Sequence, residues 1–190
     1  MAISTQRIFN KIYQISSTKS VRESNLLKIN NLVSQKLDSF SILFICSGNI
    51  CRSAFAEADL NQLNANNKTK LNILISSAGT HTENGLPANY DAIKYAKIFD
   101  IDLTQHKTTK VNKELLKKAN LILAMEPWHI LNTFIVNPSS FKKTFLLSTL
   151  DSDPNPSTID PYNKSQSVFE YSFKRIRGCL VRLIEMLNEA

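Results

Sequence analysis

A chain of 190 residues, 43% hydrophobic and 21% charged, has the composition of a globular domain that buries most of its own surface without a disulfide or metal staple. Three cysteines are an odd number for a secreted disulfide framework, and Cys46 and Cys51 have no second pair to complete a zinc site. No run approaches the roughly 20 apolar residues of a membrane span, and a net charge of +7 suits an enzyme that attracts anions without by itself indicating nucleic acid.

In chain order, residues 1–40 come first and hold more than half of the basic excess, with Arg7, Lys11, Lys19, Arg22, Lys28 and Lys36 against Glu23 and Asp38. Ile8, Phe9, Ile12, Tyr13 and Ile15 form one apolar stripe, closed by Ser16-Ser17-Thr18. Leu26, Ile29, Leu32, Val33 and Leu37 form another at helical spacing. The pattern predicts two short amphipathic helices with a polar break at about 16–22. It leaves three uses open: packing on the main domain, binding a partner or a second copy, or lying on a membrane surface. The start of the chain lacks the continuous apolar region of a signal peptide, so a cytoplasmic location is expected.

From residue 41 the pattern alternates. Strands are predicted at 41–46, 71–77, 120–126 and 144–148, and helices at 53–65, 88–99, 112–118, 127–136 and 165–188. This alternation predicts a three-layer α/β/α domain around a central four-stranded parallel sheet, with right-handed crossovers and the helical N-terminal segment added to it. There are no internal repeats, and 151–157, with Pro154 and Pro156, reads as a loop. Sites in such sheets lie beyond the carboxyl ends of the strands.

One such end carries Cys46-Ser47-Gly48-Asn49-Ile50-Cys51-Arg52-Ser53. A cysteine ending an apolar strand is usually core. The order of parts argues otherwise. A thiolate forms readily at a helix N-terminus and near cations. The backbone amides of Ser47, Gly48, Asn49, Ile50 and Cys51 can turn inward as an anion nest, and Gly48 and Asn49 tolerate the positive φ that such a loop needs. Arg52 offers a planar fork to phosphate oxygens, and the Ser53 hydroxyl can donate to the sulfur. Asn49 is expected to hold the loop through its side chain. Cys51 is close enough to form a reversible disulfide with Cys46 or to pack as a small apolar residue. Asp160 precedes Pro161, which restricts it to extended conformations. Alone, this would read as a surface turn; beside the cysteine loop it is a candidate general acid.

These residues resemble the low-molecular-weight protein tyrosine phosphatase family, bacterial type. The Cys46 loop is similar to its C-x5-R-S signature. Ser77-Ala78-Gly79-Thr80, Ile101-Asp102-Leu103 with His106-Lys107, 119–125 and Asp160-Pro161-Tyr162 resemble further segments of the family, in its order. The resemblance covers about residues 41–190, which implies a phosphatase domain there and an extension over 1–40. It implies hydrolysis of phosphotyrosine through a phosphocysteine, with Cys46, Arg52 and Asp160 catalytic and no metal or organic cofactor. Ser77 and His106 resemble positions that buttress the loop, and Tyr162 is expected to line the entrance. A tyrosine-phosphorylated protein is the implied partner, such as an autophosphorylating kinase of exopolysaccharide export. Ala54 stands where the family usually has Pro, and Asn163 where animal members often have Tyr. Competing readings are a protein-arginine phosphatase, which typically has Thr at the place of Ile50, an arsenate reductase, which needs cysteines that 78–100 lack, and a non-catalytic phosphoprotein-binding module.

Overall fold

The computed structural model describes residues 19–35, 37–67, 71–153 and 155–189. The first of the two helices expected before residue 40 lies outside the described residues. Four strands form one parallel sheet in the order β2–β1–β3–β4, with β1 at Ser39–Cys46, β2 at Asn72–Gly79, β3 at Leu121–Ala124 and β4 at Thr144–Leu146. The register aligns their carboxyl ends: Cys46 pairs with Gly79, Ile45 with Ala78 and Ala124, and Ala124 with Leu146.

The helices are α1 (Lys19–Val33), α2 (Arg52–Asn67), α3 (Tyr90–Ala96), α4 (Lys113–Lys118), α5 (Pro127–Val136) and α6 (Gln166–Glu189). A parallel sheet covered on both faces has no polar side, which is why β1 reads as a nearly continuous apolar run. Its residues still divide by alternation. Ile42 and Phe44 enter the large core with Ile29, Phe55, Phe169 and Phe173, whereas Leu43 and Ile45 face Leu116 and Val111 across the sheet. Phe55 of α2 stacks on Phe173 of α6, ring centroids 4.0 Å apart. Beside them, buried Asp59 receives Arg177 at 2.7 Å.

The boundaries differ from the pattern where side chains intervene. Helix 88–99 begins at Tyr90 because Asn89 caps it, its side chain accepting from Ala92 N, and it ends in a 3-10 turn at Lys97–Phe99. β3 is shorter than 120–126, since the Asn120 side chain is spent on Ser41 N at 2.8 Å and the chain turns after Ala124. β4 ends at Leu146, where a 3-10 turn takes over, and another, at Pro138–Lys143, was not signalled by periodicity.

The expected break at 16–22 is corrected: residues 19–22 are helical, part of α1. Lys, Ser, Val and Arg are not helix breakers, and Arg22 has a partner in the Asp153 carbonyl, 3.1 Å from its Nη1. α1 is seated in the fold. Ile29 and Val33 are fully buried in the same core cluster as β1 and α6, with Leu26 and Leu32 half-buried against it, while Leu37 stays exposed.

Because Ile29 closes the core rather than covering its outside, Ile29→Ala is expected to lower stability by about 2–5 kcal/mol in urea unfolding. A helix resting on the surface would lose under about 0.5 kcal/mol.

Candidate active site

The sheet order reverses between β1 and β3, since the chain goes from β1 outward to β2 and returns to build β3 and β4 on the other side. A crevice opens at the carboxyl ends on either side of such a reversal. The loop 47–51 leaves β1 at this point, and Met125-Glu126 leaves β3 beside it.

Within the loop, Asn49 takes the left-handed conformation at φ 55°. Of the two loop residues that tolerate positive φ, Asn49 is the one that takes it; among the described residues Gly85 is the glycine with positive φ. The turn directs Asn49 N–H onto Cys46 Sγ at 3.2 Å, and Ser53 Oγ lies 3.0 Å from the same sulfur. Ser53 Oγ already accepts from Asn49 Nδ2 at 2.9 Å, so its single proton is left for the sulfur. Gly79 lets β2 press against the loop. A Cβ there would stand 2.7 Å from the Ser47 carbonyl, and the next residues use the space to donate from Thr80 N to Cys46 O and from His81 N to Ser47 O.

The Asn49 side chain is the hub of this loop. Its Oδ1 accepts from Thr109 N at 2.8 Å, and its Nδ2 donates to Ser77 Oγ at 2.7 Å as well as to Ser53. Ser77 in turn donates to Glu57 Oε2 at 2.6 Å. His106 Nε2 lies 2.7 Å from the Asn49 carbonyl and therefore carries the proton and donates, while its Nδ1 is 3.9 Å from Glu57 Oε2. Burial pushes the Glu57 carboxyl up, and the Ser77 hydroxyl and His106 pull it partly back. Glu57 escaped sequence reasoning; the available signal was an acid on the buried face of α2 one turn beyond Ser53.

Arg52 is 1% exposed, an unusual place for a guanidinium. Its Nη1 donates to Glu126 Oε1 at 2.7 Å and to the Thr158 carbonyl at 3.0 Å, and its Nη2 lies 2.9 Å from Asp160 Oδ2. Burial works against its charge, but Asp160, Glu126 and Cys46 outweigh that and hold it above the ordinary arginine range. Glu126 was not foreseen. It precedes Pro127 at the start of α5, where Glu126 N donates to His129 Nδ1 at 3.1 Å. With Nδ1 accepting, Nε2 holds the proton and donates to Ser47 Oγ at 2.9 Å. His129 is fully buried and held well below the usual imidazole range, by burial first and then by Arg52 and His81. The sequence signal for this pair was Glu126-Pro127-Trp128-His129, a helix start lying directly after a core strand.

A pocket of about 200 Å³ takes Cys46, Arg52 and Asp160 into its wall, together with Ile50, His81 and Tyr162. Asn49, Ser53, Ser77 and His106 do not line it and touch the loop from behind. Cys51 lies in the wall as a buried free thiol, pushed well up by burial and then by Cys46.

A sulfur with two donors on it, in the same pocket as a buried guanidinium, is the equipment of a cysteine-dependent phosphatase. The chain is a member of the low molecular weight phosphotyrosine protein phosphatase family, whose model matches residues 41–190. Among curated relatives, the low molecular weight protein-tyrosine-phosphatase Etp of Escherichia coli K12 is 35% identical over 134 residues, 70% of this chain and 84% of Etp. Among solved structures, the tyrosine phosphatase Wzb of Escherichia coli K30 in complex with sulphate superposes with a TM-score of 0.70 at 31% identity, covering 80% of this chain and 99% of Wzb. The YwlE arginine phosphatase from Geobacillus stearothermophilus gives 0.70 at 29% identity, covering 79% of this chain and 94% of YwlE.

Glu126 beside Arg52 and buried His129 beside Ser47 yield two expectations. Glu126→Ala leaves part of a buried charge uncompensated and should lower stability by about 3 kcal/mol in urea unfolding, with Glu126→Gln, which keeps an acceptor, losing less. His129 stays neutral when folded but binds a proton when unfolded below its ordinary value of 6.5. The unfolded state therefore takes up more protons there, and stability falls as pH drops from 6.5. This group contributes a slope of about 1.4 kcal/mol per pH unit. His129→Gln should remove that contribution, read as a shallower fall in stability between pH 6.5 and 5 than in the wild type.

Proposed function

We propose that this chain hydrolyses phosphotyrosine in proteins in two steps, through a phosphocysteine. Cys46 Sγ attacks phosphorus and the bond to the tyrosine oxygen breaks. The loop amides from Ser47 to Arg52 and the Arg52 guanidinium take up the charge of the transferring phosphoryl group. Asp160, as the acid, gives its proton to the leaving phenolate. As a carboxylate it then takes a proton from water, the oxygen attacks phosphorus, and the thiolate leaves with the Ser53 hydroxyl donating to it. Asn49 holds the loop in shape through its side chain and donates its backbone N–H to the attacking sulfur, while Ser77 and His106 support the loop from behind. The observation that carries this reading is the two donors on one sulfur, Asn49 N–H at 3.2 Å and Ser53 Oγ at 3.0 Å, in the same pocket as Arg52 and Asp160.

An aromatic ester suits the pocket, because apolar Ile50 and half-exposed Tyr162 flank the acid. The protein partner in this reading is a tyrosine-phosphorylated one in the cytoplasm, such as an autophosphorylating kinase of exopolysaccharide export. Among the described residues no helix is long and apolar enough to cross a membrane. Arginine phosphatase activity is the second reading, favoured by the likeness to the YwlE arginine phosphatase.

Hydrolysis of an aryl phosphate by wild type, Cys46→Ser and Asp160→Ala tests the mechanism. Cys46→Ser should be inactive, and Asp160→Ala should lose 10²–10⁴-fold, the usual range for a general acid. Turnover without Cys46 would refute the assignment. Rates on matched phosphotyrosine and phosphoarginine peptides separate the two substrates: the first should dominate, and Ile50→Thr should shift the ratio toward the second.

A further inference from the structure

Helix α1 precedes the residues matched by the family, yet it reaches the loop that carries Asp160. Its second half is fixed by Ile29 and Val33 in the core. Its first half extends Arg22, half-buried, whose Nη1 donates to the Asp153 carbonyl at 3.1 Å. Asp153 stands near the start of the stretch 151–160.

The described residues of that stretch have no regular structure of their own and depend on side chains for their shape. Arg175 of α6 donates to Asp151 Oδ2 at 2.6 Å, to the Asn155 carbonyl at 2.5 Å and to the Ser157 carbonyl at 2.8 Å. Tyr171 Oη donates to Asp153 Oδ2 at 3.2 Å, and Ser148 Oγ to the Pro156 carbonyl at 2.7 Å. Beyond these ties, Thr158 N bonds Met125 O at 2.9 Å, the Thr158 carbonyl receives Arg52, and Asp160 follows, half exposed, on the same guanidinium. The stretch is thus held from α6 on one side and from α1 on another, and it ends on the pocket's own arginine.

We infer that α1 is a brace for the acid loop and that Arg22 is a positioning residue, holding the Asp153 carbonyl so that Asp160 is presented to the leaving oxygen. The inference rests on Asp160 being the general acid. Arg22 touches neither substrate nor reacting atoms; its effect reaches the chemistry through the backbone of 153–160. A small displacement of an acid far from the displaced contact is enough to lower a rate by one or two orders of magnitude.

The test uses the full chain and a series of aryl phosphates whose leaving phenols run from strongly to weakly acidic. kcat/KM is measured for wild type, Arg22→Ala, Arg22→Lys and Asp160→Ala, with thermal unfolding alongside. An acid matters least when the leaving phenolate is already stable. Asp160→Ala should therefore lose most on the least acidic phenols. Arg22→Ala should fall in the same direction, by about tenfold on the least acidic phenol and little on the most acidic. Arg22→Lys, which keeps a donor, should recover much of the loss. An Arg22→Ala protein that loses equally on every ester, with or without a lower melting temperature, or that loses nothing, overturns the brace while the acid stands. A flat Asp160→Ala series overturns the acid assignment, and the brace with it.

Discussion

A full positive charge out of water governs this structure. Arg52 is almost wholly buried, and a lone buried guanidinium is too unfavourable to persist. The fold answers by bringing anionic and carbonyl oxygens to it from the carboxyl ends of two other strands. Glu126 arrives from the turn after β3, and Thr158 and Asp160 arrive on the connection after β4. β1 itself ends in Cys46, one loop away. The alignment of those strand ends, set by the register of the sheet, is what lets residues 46, 52, 126 and 160 meet.

The anion cradle is maintained by a second, mostly neutral network. Asn49 sits in a conformation few residues adopt, and its amide is bonded on both sides, to Ser53 and Ser77 through nitrogen and to Thr109 through oxygen. The network ends on Glu57, His106 bonds the Asn49 carbonyl, and His129 separately holds Ser47. Asn49, Ser53 and Ser77 are buried and bonded, which rigidifies them more than any one bond would.

What was legible in the sequence was what is local. The apolar run before Cys46, the compact loop and the helix after it are read from neighbouring residues. The four-stranded α/β/α layering follows from alternation of strand and helix. Glu126 and Glu57 were not legible, because an acid at a helix start or on a helix face looks solvated until the partner supplied by another element is known. His129 has the same difficulty, its role depending on Ser47 some eighty residues away. Residues 19–22, expected within a polar break, are helical for a related reason: Arg22 is held by a carbonyl more than a hundred residues downstream. Two residues of the loop could take positive φ, and composition does not say which one does.

The contact between Arg52 and Asp160 also bears on which anions the pocket takes. The guanidinium already pairs with Glu126 at 2.7 Å and, toward the pocket, with the Asp160 carboxyl group at 2.9 Å. A visiting anion must displace that carboxylate, so chloride or a simple carboxylic acid exchanges one negative charge for another and gains little. A tetrahedral dianion brings more charge and more oxygens than the resident group. The resident aspartate thus acts as a built-in competitor, filtering the abundant small anions of the surrounding solution.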